Sequence, residues 1–297
     1  MAGESEIEKK AMEQQPLVSI ITVCLNSERY IRSAIDSVLS QTYKNIEYIL
    51  VDGESTDNTL LIIQEHIADF PQLIHLISEP DKGIFDAMNK GIKVSKGEII
   101  GILNSDDWYN DFSIEKAVDL FMSDPDLDIV HGAMANYNPQ GILESVYEDF
   151  TSRFGFAEKA PFNHPTCFLR RRVYFSKIGL FDLKFKTAAD YDLMLQAYHS
   201  VDVKSAYIDE VLTNFRKVGV TCSMKISPVF EIAEVLHKNE FNYYIIALTI
   251  SYRFVRSIAV TILQRLNIHA VLQSRLRWTR GYKRYRNSSY KISEDSK

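Results

Sequence analysis

The sequence predicts an α/β fold in which a mostly parallel central sheet carries helices on both of its faces. Four runs rich in Val, Ile and Leu alternate with three helical segments between residues 17 and 103. The runs are apolar almost throughout, instead of at every second position, which is typical of strands buried on both faces. Strands and helices that alternate at this spacing form βαβ units, and such units place successive strands parallel in one sheet.

The elements of the first half follow in order. Residues 17–25 form a strand, and Ser27 caps a helix whose apolar stripe recurs at positions 31, 34, 35, 38 and 39. A strand at 46–51 precedes a helix that Asp57 caps and that continues through Ile67. A strand at 73–78, a helix at 84–94 and a strand at 98–103 complete this part of the sheet.

The second half has a less regular pattern. We expect a helix at 113–122, capped by Ser113, and then strands at 127–133 and 142–146. A helix at 186–200 and short strands at 203–208 and 211–215 follow. From Ile232 onward the sequence favours helix and becomes increasingly basic.

Length and composition limit the classes of protein that fit. With 297 residues, 46% of them hydrophobic and 25% charged, the chain is typical of a globular protein, not of a disordered or collagen-like one. Its three cysteines form no C-x-x-C pair, which argues against a disulfide framework or a zinc ribbon and favours a reducing compartment. We predict a flexible polar extension without a secretory signal at 1–15, a main domain at 16–220 with halves at about 16–110 and 111–220, and a basic helical region at 221–297.

The net charge of −5 conceals an asymmetry along the chain. Residues 250–297 contain eleven Lys or Arg and two Asp or Glu, a net charge of +9, which leaves −14 on residues 1–249. Aromatic residues are interleaved with these cations, and the combination predicts that residues 253–291 lie on an anionic membrane surface. A basic helix packed on the acidic body and a nucleic-acid-binding strip are the alternatives. The most apolar stretch, residues 243–263, is interrupted by Arg253 and Arg256, so we expect no spanning helix.

Polar residues follow each of the first four predicted strands. Ligands of parallel α/β sheets bind in the crevice beyond the carboxyl ends of the strands. Carboxylates follow three of the four strands, in the segments that begin at Asp52, at Glu79 and at Asn104. The chain has no G-x-x-x-x-G-K-[ST], G-x-G-x-x-G or H-E-x-x-H sequence. A nucleotide at this edge would therefore be held by acidic residues and a metal, not by a glycine-rich loop.

Individual acidic residues each admit two interpretations. Asp106 and Asp107 suit Mg²⁺ or Mn²⁺, which take one or two carboxylates and complete their shell with water and phosphate oxygens, but a turn aspartate that caps a helix fits as well. Asp52 can accept a hydrogen bond from a pyrimidine N–H or a ribose hydroxyl, or simply end its strand. Asp190 and Asp192 open a helix, where a carboxylate stays ionised as a general base or as a plain N-terminal charge.

Five segments, in the right order over about residues 17–218, resemble family 2 glycosyltransferases. They are VSIITVCLN at 18–26, QTY at 41–43, ILVDGESTD at 49–57, DKGIFDAMNKG at 81–91 and LNSDD at 103–107. The last two are most similar to a branch that builds bacterial surface polysaccharides, such as the colanic-acid and O-antigen transferases.

The resemblance implies a GT-A fold and an inverting transfer from a nucleotide-sugar, for which a UDP-sugar is expected, to a lipid-linked or oligosaccharide acceptor at the inner face of the membrane. It implies that Asp52 contacts the base or ribose, that Asp106 and Asp107 reach the diphosphate through Mg²⁺ or Mn²⁺, and that Asp190 is the catalytic base. His164 and Asp192 are assigned to the acceptor side. The residues implied in donor binding are Thr22, Val23, Leu25, Asn26, Asp52, Lys82, Asp86, Asn89, Asn104 and Ser105.

Three positions depart from the family pattern. Leu25 stands where many relatives have Tyr or Phe, Asn104 occupies the first position of the acidic motif, and no Arg follows Gly83, so that Lys82 is the nearest positive charge. These departures bear on the identity of the donor more than on the reaction class. The alternatives to an active transferase are a nucleotide-sugar-binding protein that has lost catalysis and, with least support, a nucleic-acid-binding protein; no nucleic-acid partner is expected.

Overall fold

The computed structural model describes residues 15–148, 160–218 and 227–265. The strands in this part are β1 (Val18–Cys24), β2 (Ile46–Asp52), β3 (Ile74–Ser78), β4 (Ile99–Asn104), β5 (Trp108–Tyr109), β6 (Ile129–Tyr137), β7 (Leu143–Tyr147), β8 (Phe168–Arg170) and β9 (Ser205–Arg216). The α-helices are α1 (Ile31–Leu39), α2 (Thr59–Asp69), α3 (Ile84–Val94), α4 (Ser113–Ser123), α5 (Ala189–His199), α6 (Ser227–Lys238) and α7 (Tyr243–Arg265).

The described strands form one sheet in the order β3-β2-β1-β4-β8-β6-β9-β5, with β7 paired to β6. Strands β1 to β4 are parallel to one another. All seven residues of β1 are buried, because helices cover both faces of the sheet. One apolar core joins this sheet to α3, α5 and α6, and a second joins its other face to α1, α2 and α4. The predicted fold class is therefore confirmed.

The second half of the sheet is mixed, since β8 runs antiparallel to both β4 and β6. With only three residues, β8 is too short to show a hydrophobic pattern in the sequence. The two strands predicted at 203–208 and 211–215 are a single strand, β9, which pairs parallel with β6 along its whole length. Register shifts beside Gly132 and Ala133 absorb the polar residues between the two predicted strands.

Two predicted helix caps are wrong. The first helix begins at Ile31 after Tyr30, and the Ser27 hydroxyl contacts the Ser105 hydroxyl at 2.8 Å instead of a helical N–H. Ser113 is the first residue of α4, and its hydroxyl donates to the carbonyl of Leu212 on β9. Both hydroxyls form hydrogen bonds to distant parts of the chain, and the local sequence does not predict such long-range bonds.

Helices α6 and α7 lie in the region predicted to be helical after Ile232, although α6 begins earlier, at Ser227. Their residues Ile232, Leu236 and Ile246 are buried in the core that contains α5. Among the helices described, none has the length and apolar character needed to cross a bilayer. Most of the predicted membrane-binding segment, from residue 266 onward, and all but the last residue of the 1–15 extension lie outside the described residues.

Candidate functional site

The ends of the first four strands meet at one edge of the sheet. The register places Asp52 between Cys24 and Ser78, and Asn104 beside Val23. The loops at this edge are joined by hydrogen bonds. The Asn26 side-chain oxygen accepts from the N–H of Thr56 at 2.8 Å, which ties the loop after β1 to the loop after β2. Asn26 adopts a positive φ of 51°, a conformation that Asn tolerates better than most residues.

Asp52 is fully buried at the end of β2. One of its oxygens accepts from the N–H of Ser55 at 3.1 Å and from the hydroxyl of Ser78 at 2.9 Å. Asp52 therefore holds the turn that follows β2 and joins it to the end of β3. Its contact with the base or ribose of a donor stays a prediction.

Asp106 and Asp107 occupy different environments despite being adjacent. Asp107 is fully buried, and its two oxygens accept from the backbone N–H of Arg216 at 2.9 Å and from the Asn104 side-chain amide at 3.0 Å. Burial and the neighbouring Asp106 raise the pKa of Asp107. Asp106 is only partly buried, and no other residue of the described segments donates a hydrogen bond to its carboxylate. Asp107 thus holds the loop in place, whereas Asp106 has oxygens available for a ligand.

The chemistry of this edge fits a divalent metal that arrives with phosphate. Within the described ranges, no cluster of three or more His, Cys, Asp or Glu side chains surrounds a common point. In the part of the chain that the structure describes, the side-chain oxygen of Asn104 is a buried acceptor without a hydrogen-bond partner. Magnesium and manganese ions accept one or two protein oxygens when water and phosphate oxygens complete the shell. Asp106 fits such a site, and Asn104 provides a further oxygen in the same segment; the binding of a metal by either residue stays a prediction.

Arg216, the last residue of β9, lies against the same loop and was missed by the sequence prediction. Its Nε donates to the backbone carbonyl of Asp106 at 3.2 Å. The guanidinium carbon lies 4.6 Å from the ring centroid of Tyr30 and 4.8 Å from that of Trp108. Two aromatic faces therefore hold a permanent cation beside Asp106. Inspection of the residue that follows the predicted strand 211–215, by the rule applied to the first four strands, would have identified it.

The residues assigned to donor binding differ in accessibility. Thr22 and Val23 are buried within β1, and Asn89 is buried on α3, where its amide bonds both the N–H and the carbonyl of Phe181. The contact of these three residues with a donor stays a prediction. Leu25, Asn26 and Lys82 are exposed, while Asp86 is partly buried and accepts from the backbone N–H of Lys82. Ser105, also partly buried, contacts Ser27.

Asp190 lies in the first turn of α5, as predicted. One oxygen accepts from the N–H of Tyr191 at 2.8 Å. Burial raises the pKa of Asp190 to about 6, against the lowering effect of the backbone N–H groups of Tyr191 and of Asp190 itself. A carboxylate with a raised pKa is a stronger proton acceptor, and it remains largely ionised at neutral pH. The chemistry of Asp190 is therefore suited to a general base.

Asp192 and His164 have contacts inside the protein. Asp192 is buried and accepts from Lys238 at 2.7 Å and from the Asn239 amide at 2.9 Å, so it ties α5 to the end of α6. His164 is buried with its ring at right angles to that of Phe181, 5.5 Å between centroids. Burial lowers the pKa of His164 to about 4, so its ring is neutral at physiological pH. Neither side chain has the exposure expected of a group that binds an acceptor, and that role stays a prediction.

Comparisons with known proteins agree with the fold and identify the family. The family model described as glycosyl transferase family 2 matches residues 19–179. A chondroitin synthase of Escherichia coli is 36% identical over 142 residues, which are 48% of this chain and 21% of that enzyme. A hyaluronan synthase of Pasteurella multocida is 32% identical over 193 residues, 64% of this chain and 19% of that enzyme. The chain therefore matches about a fifth of the length of these two synthases.

Two solved structures share the fold. The structure of Staphylococcus aureus TarS 1–349 in complex with UDP-GlcNAc has a TM-score of 0.59 and 21% identity, covering 74% of this chain and 66% of that one. The mannosyltransferase PcManGT from Pyrobaculum calidifontis, in complex with GDP-Man and Mn²⁺, has a TM-score of 0.57 and 16% identity, covering 92% and 84%. The architecture is that of the GT-A glycosyltransferases. Since the family model covers more than half of the 297 residues and includes all four strand ends, this chain belongs to glycosyl transferase family 2.

Proposed function

We propose that the protein transfers a sugar from a UDP-sugar to a hydroxyl of a growing, lipid-linked surface polysaccharide, with inversion at the anomeric carbon. The observation that carries this proposal is the edge of the sheet where Asp106 and the Arg216 cation meet beside the ends of β1, β2 and β4. The relatives named for chondroitin and hyaluronan synthesis support a polysaccharide product, and the TarS complex with UDP-GlcNAc supports a UDP-sugar. An acidic residue and a cation side by side suit a diphosphate that carries a metal.

The reaction requires one base and a stabilised leaving group. The acceptor oxygen attacks the anomeric carbon, the bond from that carbon to the β-phosphate oxygen breaks, and Asp190 takes the hydroxyl proton. Negative charge develops on the leaving nucleoside diphosphate, and the Arg216 guanidinium stabilises it because it is fixed nearby before the reaction. A metal held by Asp106 would supply further electrostatic stabilisation of the same phosphates. Because the acceptor oxygen displaces the nucleoside diphosphate in a single step, the configuration at the anomeric carbon is inverted.

Donor binding should depend on Arg216. In a thermal-shift and calorimetric screen of UDP- and GDP-sugars with Mn²⁺, we expect UDP-sugars to bind and Arg216→Ala to weaken their binding about tenfold, the loss of one charge-assisted hydrogen bond. Arg29→Ala is the matched control, because Arg29 lies over the same Tyr30 ring, at 5.1 Å. Stabilisation by GDP-sugars alone would contradict the choice of donor. Equal effects of the two substitutions would contradict the role of Arg216.

A membrane surface is the proposed site of action, and α7 supports it. Its exposed apolar residues Tyr244, Leu248 and Val255 recur at helical spacing and are 81%, 70% and 65% exposed. No Asp or Glu occurs between residues 241 and 293, while ten Lys or Arg do. An apolar helical face within a basic segment is the pattern of a helix that lies in the interface of an anionic bilayer.

The full-length protein should therefore float with vesicles that contain anionic phosphatidylglycerol and remain behind with neutral vesicles. The double substitution Leu248→Ser and Val255→Ser should reduce flotation several-fold, because each removes apolar area that enters the bilayer. Leu61→Ser on α2, where the leucine is 56% exposed, is the control and should leave flotation unchanged. Flotation that is insensitive to the α7 changes, or salt-dependent retention on DNA without flotation, would contradict the membrane assignment.

A further inference from the structure

The turn that carries Asp190 is held by a residue from a different helix. Ala188 occupies the N-cap position, just before α5, and its side chain makes no capping hydrogen bond. Alanine is among the poorest residues at this position because it offers no acceptor for the unpaired N–H groups of the first turn. Glu231, on α6, instead binds the two residues that lead into the helix. Its Oε2 accepts from the N–H of Thr187 at 2.7 Å, from the Thr187 hydroxyl at 2.8 Å and from the N–H of Ala188 at 3.1 Å.

Glu231 thus holds the backbone at the N-cap of α5, two residues before Asp190. A carboxylate at a helix N-terminus is favoured by both the unpaired N–H groups and the helix dipole. The hydrogen bonds to the Asp190 carboxylate within the described segments come from the N–H groups of Tyr191 and of Asp190 itself, so they are made inside the same turn. The position of the Asp190 carboxylate therefore follows the position of the turn, and Glu231 determines where the turn begins.

The C-terminal end of α6 also binds residues near Asp190. Lys238 bridges Asp192 at 2.7 Å and Asp182 at 2.8 Å, so that it joins the residues on either side of Asp190. Glu231 and Lys238 thus attach α6 to residues 182–192 at places separated by about two turns of the helix, and the exposed ion pair of Glu234 with Lys184 lies between them. Attachments at separate points restrict both the translation and the rotation of this turn more than a single contact would.

We propose that Glu231 is a positioning residue for the transfer reaction: it acts through Asp190 by fixing the first turn of α5. This inference rests on the proposed function of Asp190 as the base that accepts the proton of the acceptor hydroxyl. Glu231 lies outside the segment matched by the family model, which ends at residue 179. No part of its role depends on contact with the donor, so it affects the rate of transfer and leaves donor binding unchanged.

The test compares Glu231→Ala and Glu231→Gln in the full-length protein. Displacement of a catalytic group by about 1 Å costs on the order of 10²-fold, so Glu231→Ala should lower kcat about tenfold to a hundredfold, with the KM for donor unchanged. Glutamine keeps an oxygen that accepts the same three hydrogen bonds, and Glu231→Gln should recover most of the rate. Glu234→Ala is the matched control, since Glu234 lies on the same helix and forms an exposed ion pair with Lys184 at 3.0 Å. Its kcat should equal that of the wild type.

A double-variant cycle separates this inference from the proposed function. If Glu231 acts through Asp190, adding Glu231→Ala to Asp190→Asn should lower the residual rate no further. A further tenfold loss in the double variant, or a Glu231→Ala protein with wild-type kcat, would overturn the inference while leaving Asp190 as the base. A drop in Tm that glutamine does not recover, with donor KM and kcat changed together, would show a purely structural role and overturn it as well. Full activity of Asp190→Asn alone would overturn both.

Discussion

Replacement of Asp190 by Asn should lower the rate of sugar transfer by about 10³-fold, the usual contribution of a positioned general base. Asparagine has nearly the same shape and can still accept the hydrogen bond that Tyr191 donates, so the fold of α5 should persist. Its amide cannot accept a proton from the acceptor hydroxyl. Donor binding should be unchanged, because Asp190 belongs to α5 and not to the strand ends where the diphosphate is proposed to bind.

The same residue predicts the pH dependence of the wild-type enzyme. The pKa of Asp190 is raised by burial to about 6, and the base is active only when deprotonated. The rate should therefore be constant above about pH 7 and fall as the pH drops through 6, approaching a tenfold decrease per unit. A pH profile of kcat, with donor saturating at each pH, measures this limb. Asp192→Asn is an unsuitable control, since Lys238 pairs with that carboxylate.

Replacement of Asp106 by Ala should abolish the dependence of transfer on Mn²⁺ and lower transfer by about 10² to 10³-fold, because a metal at the diphosphate contributes several kcal/mol of charge stabilisation. Mn²⁺ should strengthen binding of a UDP-sugar to the wild type and have little effect on the Asp106→Ala protein. Calorimetric titration with and without the metal measures the binding of the UDP-sugar to both proteins. An Asp106→Ala protein that retains metal-enhanced binding would contradict the assignment of this residue.

Asp107→Asn serves as the comparison for Asp106. Its oxygens accept from the Arg216 N–H and the Asn104 amide, and asparagine retains one of these two acceptors at most. We expect a lower Tm for Asp107→Asn, with metal-dependent binding still present at low temperature. The two substitutions should thus have different effects: the change at Asp106 should lower metal-dependent binding, and the change at Asp107 should lower stability.

The first half of the fold is readable from sequence because its signals are local and strong. Strands β1, β2 and β4 are six or seven residues long and buried on both faces, so they appear in the sequence as apolar runs with few polar residues. The parallel arrangement then places the ends of these strands at one edge, which locates Asp52 and Asp106 without any coordinates. The second half contains β8, which has three residues, and a bulged β9, whose pairings join segments far apart in the chain.

The sequence does not show which polar side chains are engaged in hydrogen bonds within the protein and which are available to a ligand. Asp106 and Asp107 are indistinguishable by position, and their difference arises from the backbone of Arg216, about 110 residues away. Asn89 looks like a donor ligand within its motif, but its amide is engaged by Phe181. Glu231 likewise lies some 40 residues beyond the turn that it holds. Long-range hydrogen bonds of this kind depend on the finished fold.

Donor binding and proton transfer are proposed to reside on separate elements, the strand ends with Asp106 and the first turn of α5 with Asp190. The most direct test measures UDP-sugar affinity and transfer rate together, in the presence of Mn²⁺, on the wild type, Asp106→Ala and Asp190→Asn. This arrangement predicts that Asp106→Ala loses metal-dependent affinity and rate, whereas Asp190→Asn binds the donor as tightly as the wild type and transfers about 10³-fold more slowly. Wild-type transfer by Asp190→Asn, or binding of the sugar donor by the wild type without any transfer to an oligosaccharide or lipid-linked acceptor, would contradict it.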